Sequence, residues 1–291
     1  MYPVKRIEGA KSRISQNSDE MVEYLTFPGL ENLDCIKHLF STRLGGVSEG
    51  IYSSMNLSFT RGDDEEKVFA NFDRIGAVFG VKREQFVLSH QTHTDHIRIV
   101  TKDDAGAGLT KPLPYQDIDG LITNEKGLVL STFYADCVPI YLVDPVKEVI
   151  GLCHSGWKGT VAQIGKKTVD KMCEVFGCNP KDIHAAIAPS ICQSCYEVSE
   201  DVIEEIKKTF TVEAYGKDYT GELFYAKPNG KYQLNLWRAC ELTLLRAGVA
   251  GEHIEVTDIC TCCNPEYLFS HRASQGKRGN LGAFLMLKEC E

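Results

Sequence analysis

Histidines and cysteines, the side chains that bind soft metal ions and act as nucleophiles, cluster in three short segments of this 291-residue chain. The segments are SHQTHTDH with His90, His93 and His96, ADC with Cys137, and CHSGWKGT with Cys153 and His154. None contains a local zinc motif such as H-E-x-x-H, so a metal site would have to be assembled from segments that fold together. Imidazole and thiolate are the usual zinc ligands, and three of them leave a fourth position open for water or substrate.

The elements that would position these side chains are predicted strands. GLVLSTFYADCVPIYLVD (127–144) and KEVIGLCH (147–154) are apolar, β-branched and aromatic runs separated by DPVK, which predicts a strand pair. Cys137 and His154 then lie on consecutive strands, and one histidine of SHQTHTDH would complete a His₂Cys set. A cysteine or histidine also packs into a core without any ligand role, and spacing alone leaves that alternative open.

Two further segments supply a second group of thiols. They are CQSC with Cys192 and Cys195, and CTCC with Cys260, Cys262 and Cys263. Together they could form a separate structural Cys₄ site. We favour this less, because the spacing in CTCC is not that of the usual zinc knuckle, and reduced cysteines packed in the interior are the alternative.

The remaining pattern mixes strands and helices without strict alternation. Apolar residues at helical spacing predict helices over 63–80, about 160–176, 200–210 and 232–248. Strands are predicted over 35–43, on both sides of a turn within 84–101, at the start of 184–199 and around a basic loop in the tail. This pattern indicates a single α+β domain over residues 1–291, with mixed β-sheets layered against outer helices.

Composition and charge exclude several classes of function. The chain is 43% hydrophobic and 25% charged with a formal net charge of −8, whereas a nucleic-acid-binding surface is normally basic. The N-terminus has no apolar stretch of signal-peptide length, and Asp136 and Asp144 interrupt the most hydrophobic region before it could span a membrane. We expect a cytoplasmic protein, monomeric or weakly dimeric, whose 12 cysteines stay reduced.

Seven segments together resemble the laccase-domain family, also called the polyphenol-oxidase-like or bacterial purine nucleoside phosphorylase-like family. In order they are FSTRLGGVSEGIYSSMNL, LSHQTHTDHI, DIDGLITNEKGLVLSTFYADCVPIYLVD, CHSGWKGTV, APSICQSCYEV, LNLWRACELTLLRAGV and CTCCNPEYLFSHRASQGKRGN. The resemblance covers about Cys35 to Leu287, and ADCVPI and HSGWKG are its most specific parts. It implies that His93, Cys137 and His154 bind zinc and form the catalytic centre.

The same resemblance implies a zinc-dependent purine nucleoside phosphorylase that acts on adenosine, inosine, guanosine and methylthioadenosine with phosphate. Adenosine deamination is implied as a side activity. Zinc with an open position polarises a substrate atom and lowers the pKa of bound water, which suits both reactions.

An acidic chain needs a local group of polar and cationic side chains to hold substrate and phosphate. The candidates are Arg43 and Asn56 at the two ends of a Gly- and Ser-rich loop, Lys158 in the HSGWKG turn, and Arg272 and Arg278 in the tail loop. Asp136 could orient a metal ligand, and Trp157 could stack on a purine.

Two other activities remain as alternatives. One is a copper-dependent polyphenol oxidase, the activity behind the family's older name, because His₂Cys is also the blue-copper ligand set. That centre usually adds an axial methionine, and none of the five methionines lies in a motif with the three ligands. Eight histidines are also few for a multicopper cluster. The other is a cysteine or zinc amidohydrolase that edits peptidoglycan precursors, with Cys137 as nucleophile and His154 as base.

Overall fold

The computed structural model describes residues 1–19 and 21–289 and shows an α+β fold. In chain order the strands are β1 (Ser15–Ser18), β2 (Glu23–Thr26), β3 (Ile36–Ser41), β4 (Phe86–Leu88), β5 (Ile97–Ile99), β6 (Gly120–Thr123), β7 (Val129–Tyr134), β8 (Val138–Asp144), β9 (Val149–Ser155), β10 (His184–Ile187), β11 (Glu197–Val198), β12 (Phe224–Ala226), β13 (Tyr232–Leu234), β14 (Ile254–Val256) and β15 (Leu281–Leu287). The α-helices are α1 (Pro28–Glu31), α2 (Glu65–Phe79), α3 (Trp157–Val161), α4 (Ile164–Phe176), α5 (Glu200–Thr209), α6 (Val212–Tyr215), α7 (Thr220–Leu223) and α8 (Leu236–Arg246). Across the described ranges, no helix combines the length and the apolar character needed to cross a membrane.

Two large sheets contain both parallel and antiparallel neighbours. The first has the strand order β1-β2-β3-β15-β7-β4, and the second has the order β14-β10-β8-β9-β6-β5. The parallel pairs are β4 with β7, β10 with β14 and β5 with β6, whereas β8 and β9 form the predicted antiparallel pair. A small antiparallel sheet has the order β11-β13-β12. The prediction of an α+β fold with mixed sheets is confirmed.

Apolar clusters hold the two large sheets face to face between outer helices. The cluster between the sheets includes Phe40 and Leu130 from the first sheet and Tyr141 and Leu152 from the second. A second cluster packs α2 on the outer face of the first sheet, and a third packs α4 and α8 on the outer face of the second. The central strands are therefore buried on both faces, which explains why their sequences are continuous apolar runs rather than alternating ones.

Two of the predicted helices need correction. The helix predicted at about 160–176 is divided into α3 and α4, because Gln163 between them adopts the left-handed conformation with φ of 59°. The helix predicted over 232–248 begins only at Leu236, because the Asn235 side chain accepts a hydrogen bond from the Arg238 amide and caps it. The residues before that cap pair as β13. The helices predicted over 63–80 and 200–210 are confirmed as α2 and α5.

Two connections cross from the first sheet to the second. β4 belongs to the first sheet and β5 to the second, so residues 89–96 cross between the layers, and residues 135–137 between β7 and β8 do the same. The strands predicted within 84–101 are thus present, but they do not pair with each other. His93 and Cys137 lie on these two crossing segments, so the stacking of the sheets decides how far apart they are.

Candidate metal centre

The two crossing segments meet at the end of β9, where His93, Cys137 and His154 come together. β8 and β9 pair with Pro139 opposite His154, which brings Cys137 beside the end of β9. One donor atom from each of the three side chains lies within 4.8 Å of the other two. The distance from His93 Nε2 to Cys137 Sγ is 3.8 Å, and the imidazole rings of His93 and His154 have centres 4.8 Å apart and planes 77° apart.

The turn between β9 and α3 allows this close approach because position 156 is glycine. A Cβ placed on Gly156 would lie 3.0 Å from His93 Cδ2 and 3.1 Å from Cys137 Sγ. Any side chain would therefore crowd two of the three donor groups, so the glycine of HSGW is favoured by packing around the site.

A buried carboxylate, Asp119, orients both histidine-bearing segments. His154 Nδ1 donates to Asp119 Oδ1 over 2.7 Å, which leaves His154 Nε2 to face Cys137. The same carboxylate accepts hydrogen bonds from the backbone amides of Thr92, His93 and Thr94 at 3.1, 3.1 and 2.9 Å. His93 has a left-handed φ of 66°, and these three amides hold the segment in that conformation. Asp119 therefore fixes two donors of the group at once.

Asp136, which the sequence pattern suggested for orienting a ligand, has different partners. Its carboxylate accepts from Thr261 Oγ1 at 2.6 Å and from the Arg272 amide at 2.7 Å. It also has a left-handed φ of 88° immediately before Cys137. Asp136 thus holds the crossing segment to the tail of the chain.

The charges of the donor group shift one another's pKa values. Burial raises the pKa of Cys137, but the charge of His154 and hydrogen bonds from His154 and His93 outweigh burial and lower it to about 6. Burial lowers the pKa of His154, but the Cys137 thiolate and the Asp119 carboxylate raise it to about 9. Burial raises the pKa of Asp119, but the hydrogen bond and charge of His154 together with the amides of Thr94 and Thr92 outweigh burial and lower it to about 2. These shifts favour a thiolate at neutral pH, which is the form of cysteine that binds metal ions.

The donor group lies at the wall of a pocket of about 620 Å³, a size that suits a small organic ligand. His154 is only 3% exposed, whereas His93 is exposed, so the donors are accessible from the His93 side. His90 also lines the pocket, and its Nδ1 accepts a hydrogen bond from the Asp117 amide. The apolar part of the wall includes Leu57, Phe59, Leu88, Leu113 and Phe133.

Two arginines in this pocket have hydrogen-bonding capacity that the protein does not use. Arg61 donates to the carbonyl of Gly276 at 3.0 Å, and Arg278 donates to the carbonyl of Gly279 at 3.2 Å and to the Asn280 side chain. Among the described residues, the buried Nε atoms of both guanidinium groups have no hydrogen-bond partner. Burial and the neighbouring Arg61 lower the pKa of Arg278 to about 10. Two neighbouring guanidinium groups are chemically suited to bind an anion.

Arg278 is the one sequence-predicted phosphate candidate among the described residues that line this pocket. Arg43 instead donates to the carbonyls of Ser53 and Pro265. Arg272 is exposed and donates to the carbonyls of Cys195 and Glu197. Lys158 is exposed, 5.8 Å from the ring centre of Trp157, and neither residue lines the pocket. Asn56 is fully buried, and its Oδ1 accepts from the Asn280 amide at 2.9 Å, so it supports the wall from behind.

Sequence reasoning missed three residues of this site. Asp119 stands in DIDG, two residues from a second aspartate, and nothing in the spacing distinguishes which one is buried. Arg61 stands in TRGDD, where it resembles a solvated cation beside two acidic residues. Lys111 lines the pocket from the polar loop after β5, and its ammonium group donates to the carbonyl of Asp103. The fold, rather than a local motif, brings Arg61 and Lys111 to the pocket and Asp119 to His154 behind it.

Fold and site together define a class of protein. Two mixed sheets are stacked, and their crossing segments bring a histidine and a cysteine to a second histidine at the end of a central strand, at the wall of a cationic pocket. Residues 37–288 match the family described as multi-copper polyphenol oxidoreductase laccase. The chain belongs to this family, which confirms the resemblance seen in its motifs.

Named relatives and a solved structure resemble the chain over most of its length. It is 36% identical over 251 residues to the purine nucleoside phosphorylase YlmD of Bacillus subtilis, covering 86% of this chain and 88% of the relative. It is 33% identical over 258 residues to the adenosine deaminase RL5 of an unknown prokaryotic organism, covering 84% and 93%. The crystal structure of YlmD from Geobacillus stearothermophilus superimposes with a TM-score of 0.85 and 33% identity, covering 94% of this chain and 99% of that one.

Proposed function

We propose that this protein is a zinc-dependent purine nucleoside phosphorylase with adenosine deaminase as a side activity. Its substrates would be adenosine, inosine, guanosine and methylthioadenosine, each with phosphate. The products of phosphorolysis would be the free base and a ribose 1-phosphate derivative. The relatives named purine nucleoside phosphorylase and adenosine deaminase support the two reaction classes.

One observation carries the proposal: Arg61 and Arg278 share a pocket with the three metal donors. The guanidinium groups of the two arginines fit a small anion with several oxygens, such as phosphate. The apolar wall of Leu57, Phe59 and Phe133 fits the planar face of a purine. A pocket of about 620 Å³ has room for a nucleoside and phosphate together.

The chemistry of the donor set fits zinc. His93, Cys137 and His154 supply two imidazoles and a thiolate within 4.8 Å, the set that leaves a catalytic zinc one open position. Zinc bound there would act as a Lewis acid on a substrate atom in either reaction. We favour zinc over copper because no donor group found in the described residues contains more than two histidines. A multicopper oxidase requires a larger histidine cluster.

The chain's own residues would position the reactants for phosphorolysis. Arg61 and Arg278 would hold phosphate with one oxygen directed at the anomeric carbon of the ribose. The C–O bond to phosphate forms as the C–N bond to the purine breaks, and the bonding electrons of the C–N bond leave with the base. Asp119 keeps Nδ1 of His154 protonated, so that Nε2 stays available for the metal. Deamination needs only the metal centre and the purine pocket, because no phosphate takes part.

The alternative function, an amidohydrolase with Cys137 as nucleophile, requires the same thiolate that zinc would bind. A cysteine that binds zinc is not free to attack a carbonyl, so the two functions exclude each other at this residue. We therefore expect no hydrolysis of peptidoglycan-derived amides, and these compounds serve as negative controls.

A substrate panel with and without phosphate tests the proposal. We expect hypoxanthine release from inosine and adenine release from adenosine to require phosphate and to yield a sugar phosphate. We expect ammonia release from adenosine to proceed without phosphate. Free ribose formed at equal rates in phosphate-free buffer would instead identify a nucleoside hydrolase and contradict the proposal. Oxidation of a phenolic substrate by copper-loaded protein would favour the polyphenol oxidase.

Asp119→Asn is expected to weaken zinc binding about 10- to 100-fold, the usual effect of removing a carboxylate that orients a histidine ligand. Asparagine keeps the size of the side chain but loses the negative charge and one acceptor for the amides of residues 92–94. Competition with a chromophoric chelator measures the change in affinity. Asp34→Asn is the control, because Asp34 is an exposed aspartate between α1 and β3 that does not line the pocket. Equal affinities for the Asp119 variant and the control would show that Asp119 does not act on the metal.

We also propose a cytoplasmic protein that acts as a monomer or weak homodimer without nucleic-acid or membrane partners. All cysteines of the described residues are free, which fits a reducing compartment.

A further inference from the structure

Four cysteines outside the candidate metal centre converge on one point. Cys192, Cys195, Cys260 and Cys263 have sulfur atoms that all lie within 4.8 Å of one another. Cys195 Sγ and Cys263 Sγ are 3.5 Å apart. A zinc ion with four Zn–S bonds of about 2.3 Å would hold its sulfurs about 3.8 Å apart, so small shifts suffice to place an ion between them.

The fold brings these sulfurs together in two similar turns. Cys192 and Cys195 bracket the turn after β10, and Cys260 and Cys263 bracket the turn after β14. β10 and β14 are parallel neighbours, and a further bridge between Ser190 and Cys260 extends their pairing up to the cysteines. Each turn therefore contributes a Cys-x-x-Cys pair, and Cys262 is the thiol left out. The CTCC segment does have zinc-knuckle spacing once Cys260 and Cys263 are taken as its ligands.

Hydrogen bonds to sulfur distinguish this cluster from ordinary core packing. The Cys192 amide donates to Cys260 Sγ at 3.2 Å, and Cys192 Sγ lies 3.6 Å from Ser194 Oγ. An amide directed at a sulfur stabilises negative charge on that sulfur, as a thiolate ligand requires. Cys195 and Cys263 are only half-buried, so solvent can deliver an ion.

We propose that these four cysteines bind one structural zinc ion as a closed tetrathiolate site, separate from the candidate metal centre. Four thiolates fill the tetrahedral coordination of zinc and leave no position for substrate. The close spacing of the sulfurs fits a single ion, because an iron–sulfur cluster separates its cysteine ligands by placing several iron atoms between them. A disulfide between Cys195 and Cys263 would need a sulfur separation of about 2.05 Å and would leave the other two thiols unused.

The tetrathiolate site would support the candidate metal centre through Asp136. Thr261 lies between Cys260 and Cys263, and its hydroxyl donates to Asp136, the residue before Cys137. The Arg272 side chain donates to the carbonyls of Cys195 and Glu197, while its amide donates to Asp136. An ion that ties the two turns together would thus fix the segment that carries Cys137.

Metal content of protein purified under reducing conditions tests the site. We expect two zinc ions per chain in the natural sequence, one in Cys137→Ser and one in the double variant Cys195→Ser/Cys263→Ser. Cys262→Ser is the matched control and should keep two. Cobalt substituted into Cys137→Ser should show the intense charge-transfer absorption of four thiolate ligands.

The results separate this site from the proposed catalytic zinc. A single zinc that is lost in Cys137→Ser, with Cys195 and Cys263 joined as a disulfide or reactive as free thiols, would overturn the tetrathiolate site. A single zinc that persists in Cys137→Ser and is lost in the double variant would support it and contradict zinc at the candidate metal centre. If the double variant fails to fold, the zinc content and cobalt spectrum of Cys137→Ser still decide between these outcomes.

Discussion

Replacing Cys137 by serine is expected to remove the metal held with His93 and His154 and to lower inosine phosphorolysis at least about 10³-fold. This corresponds to roughly 4 kcal/mol of transition-state stabilisation, a contribution that a Lewis-acidic metal can supply. Serine has nearly the same shape, but its hydroxyl stays protonated at neutral pH, whereas the pKa of Cys137 is lowered to about 6. Zinc content and kcat/KM measured on the same preparation check the prediction.

A second substitution and a control separate loss of metal from loss of fold. His154→Asn should show the same joint loss, because it removes another donor of the same group. Cys173→Ser should keep full zinc content and activity, since Cys173 lies on α4 and contacts the apolar cluster on the outer face of the second sheet. A Cys137 variant that releases one zinc per chain yet cleaves inosine at the natural rate would end the metal-centred mechanism.

Replacing Arg278 by methionine is expected to lower kcat/KM for phosphate about 10- to 100-fold, the loss expected from one charged hydrogen-bonding group. Ammonia release from adenosine should stay within about twofold, because deamination does not use the anion. Methionine keeps the apolar stem and removes the guanidinium. Because Arg278 lies beside Arg61, its removal also relieves repulsion, which offsets the lost hydrogen bonds to Gly279 and Asn280, so the free energy of unfolding without phosphate should change little. Steady-state kinetics in both assays and denaturant unfolding provide the measurements.

Lys277→Met is the matched control for Arg278→Met. Lys277 is the adjacent residue and is exposed, so removing its charge should leave both reactions unchanged. Arg278→Lys should recover only part of the lost kcat/KM, because an ammonium keeps the charge but lacks the planar fork of donors. An equal loss of phosphorolysis and deamination in Arg278→Met would mean that Arg278 acts on the nucleoside or on the fold rather than on phosphate.

The elements that depend on local patterns were predictable from the sequence. α2 has acidic residues in its first turn and a glycine at its end, and β8 and β9 are apolar runs on either side of a short turn. The close approach of Cys137 and His154 follows from that one hairpin. The choice of His93 among the histidines of its segment required the family motif, because its place depends on a crossing between sheets that spacing does not reveal.

The arginines show why the anion site could not be located from the sequence. The sequence does not distinguish the three candidate arginines, because Arg43, Arg272 and Arg278 all stand in polar loops. In the fold, backbone carbonyls accept the hydrogens of Arg43 and Arg272, whereas Arg278 keeps a buried Nε without a protein partner. Of these three arginines only Arg278 lines the pocket, so only its charge can act on a ligand bound there. Which arginine faces the pocket depends on tertiary contacts that the sequence does not show. In the same way, only the fold reveals that Asp119 is buried against His154 whereas Asp117 is exposed.

Because of the crossing segments, the distances between the donors of the candidate metal centre depend on how the two sheets are aligned. His93 and Cys137 lie where the chain leaves the first layer, and His154 lies on the second. A slide of about 1 Å between the layers would leave the apolar interior covered, yet metal–ligand bonds tolerate deviations of only about 0.2 Å. Substitutions in the apolar interior between the sheets would therefore weaken metal binding before they unfold the protein. The proposed activity would then depend on the alignment of the two layers, which is set by side chains that never touch the reactants.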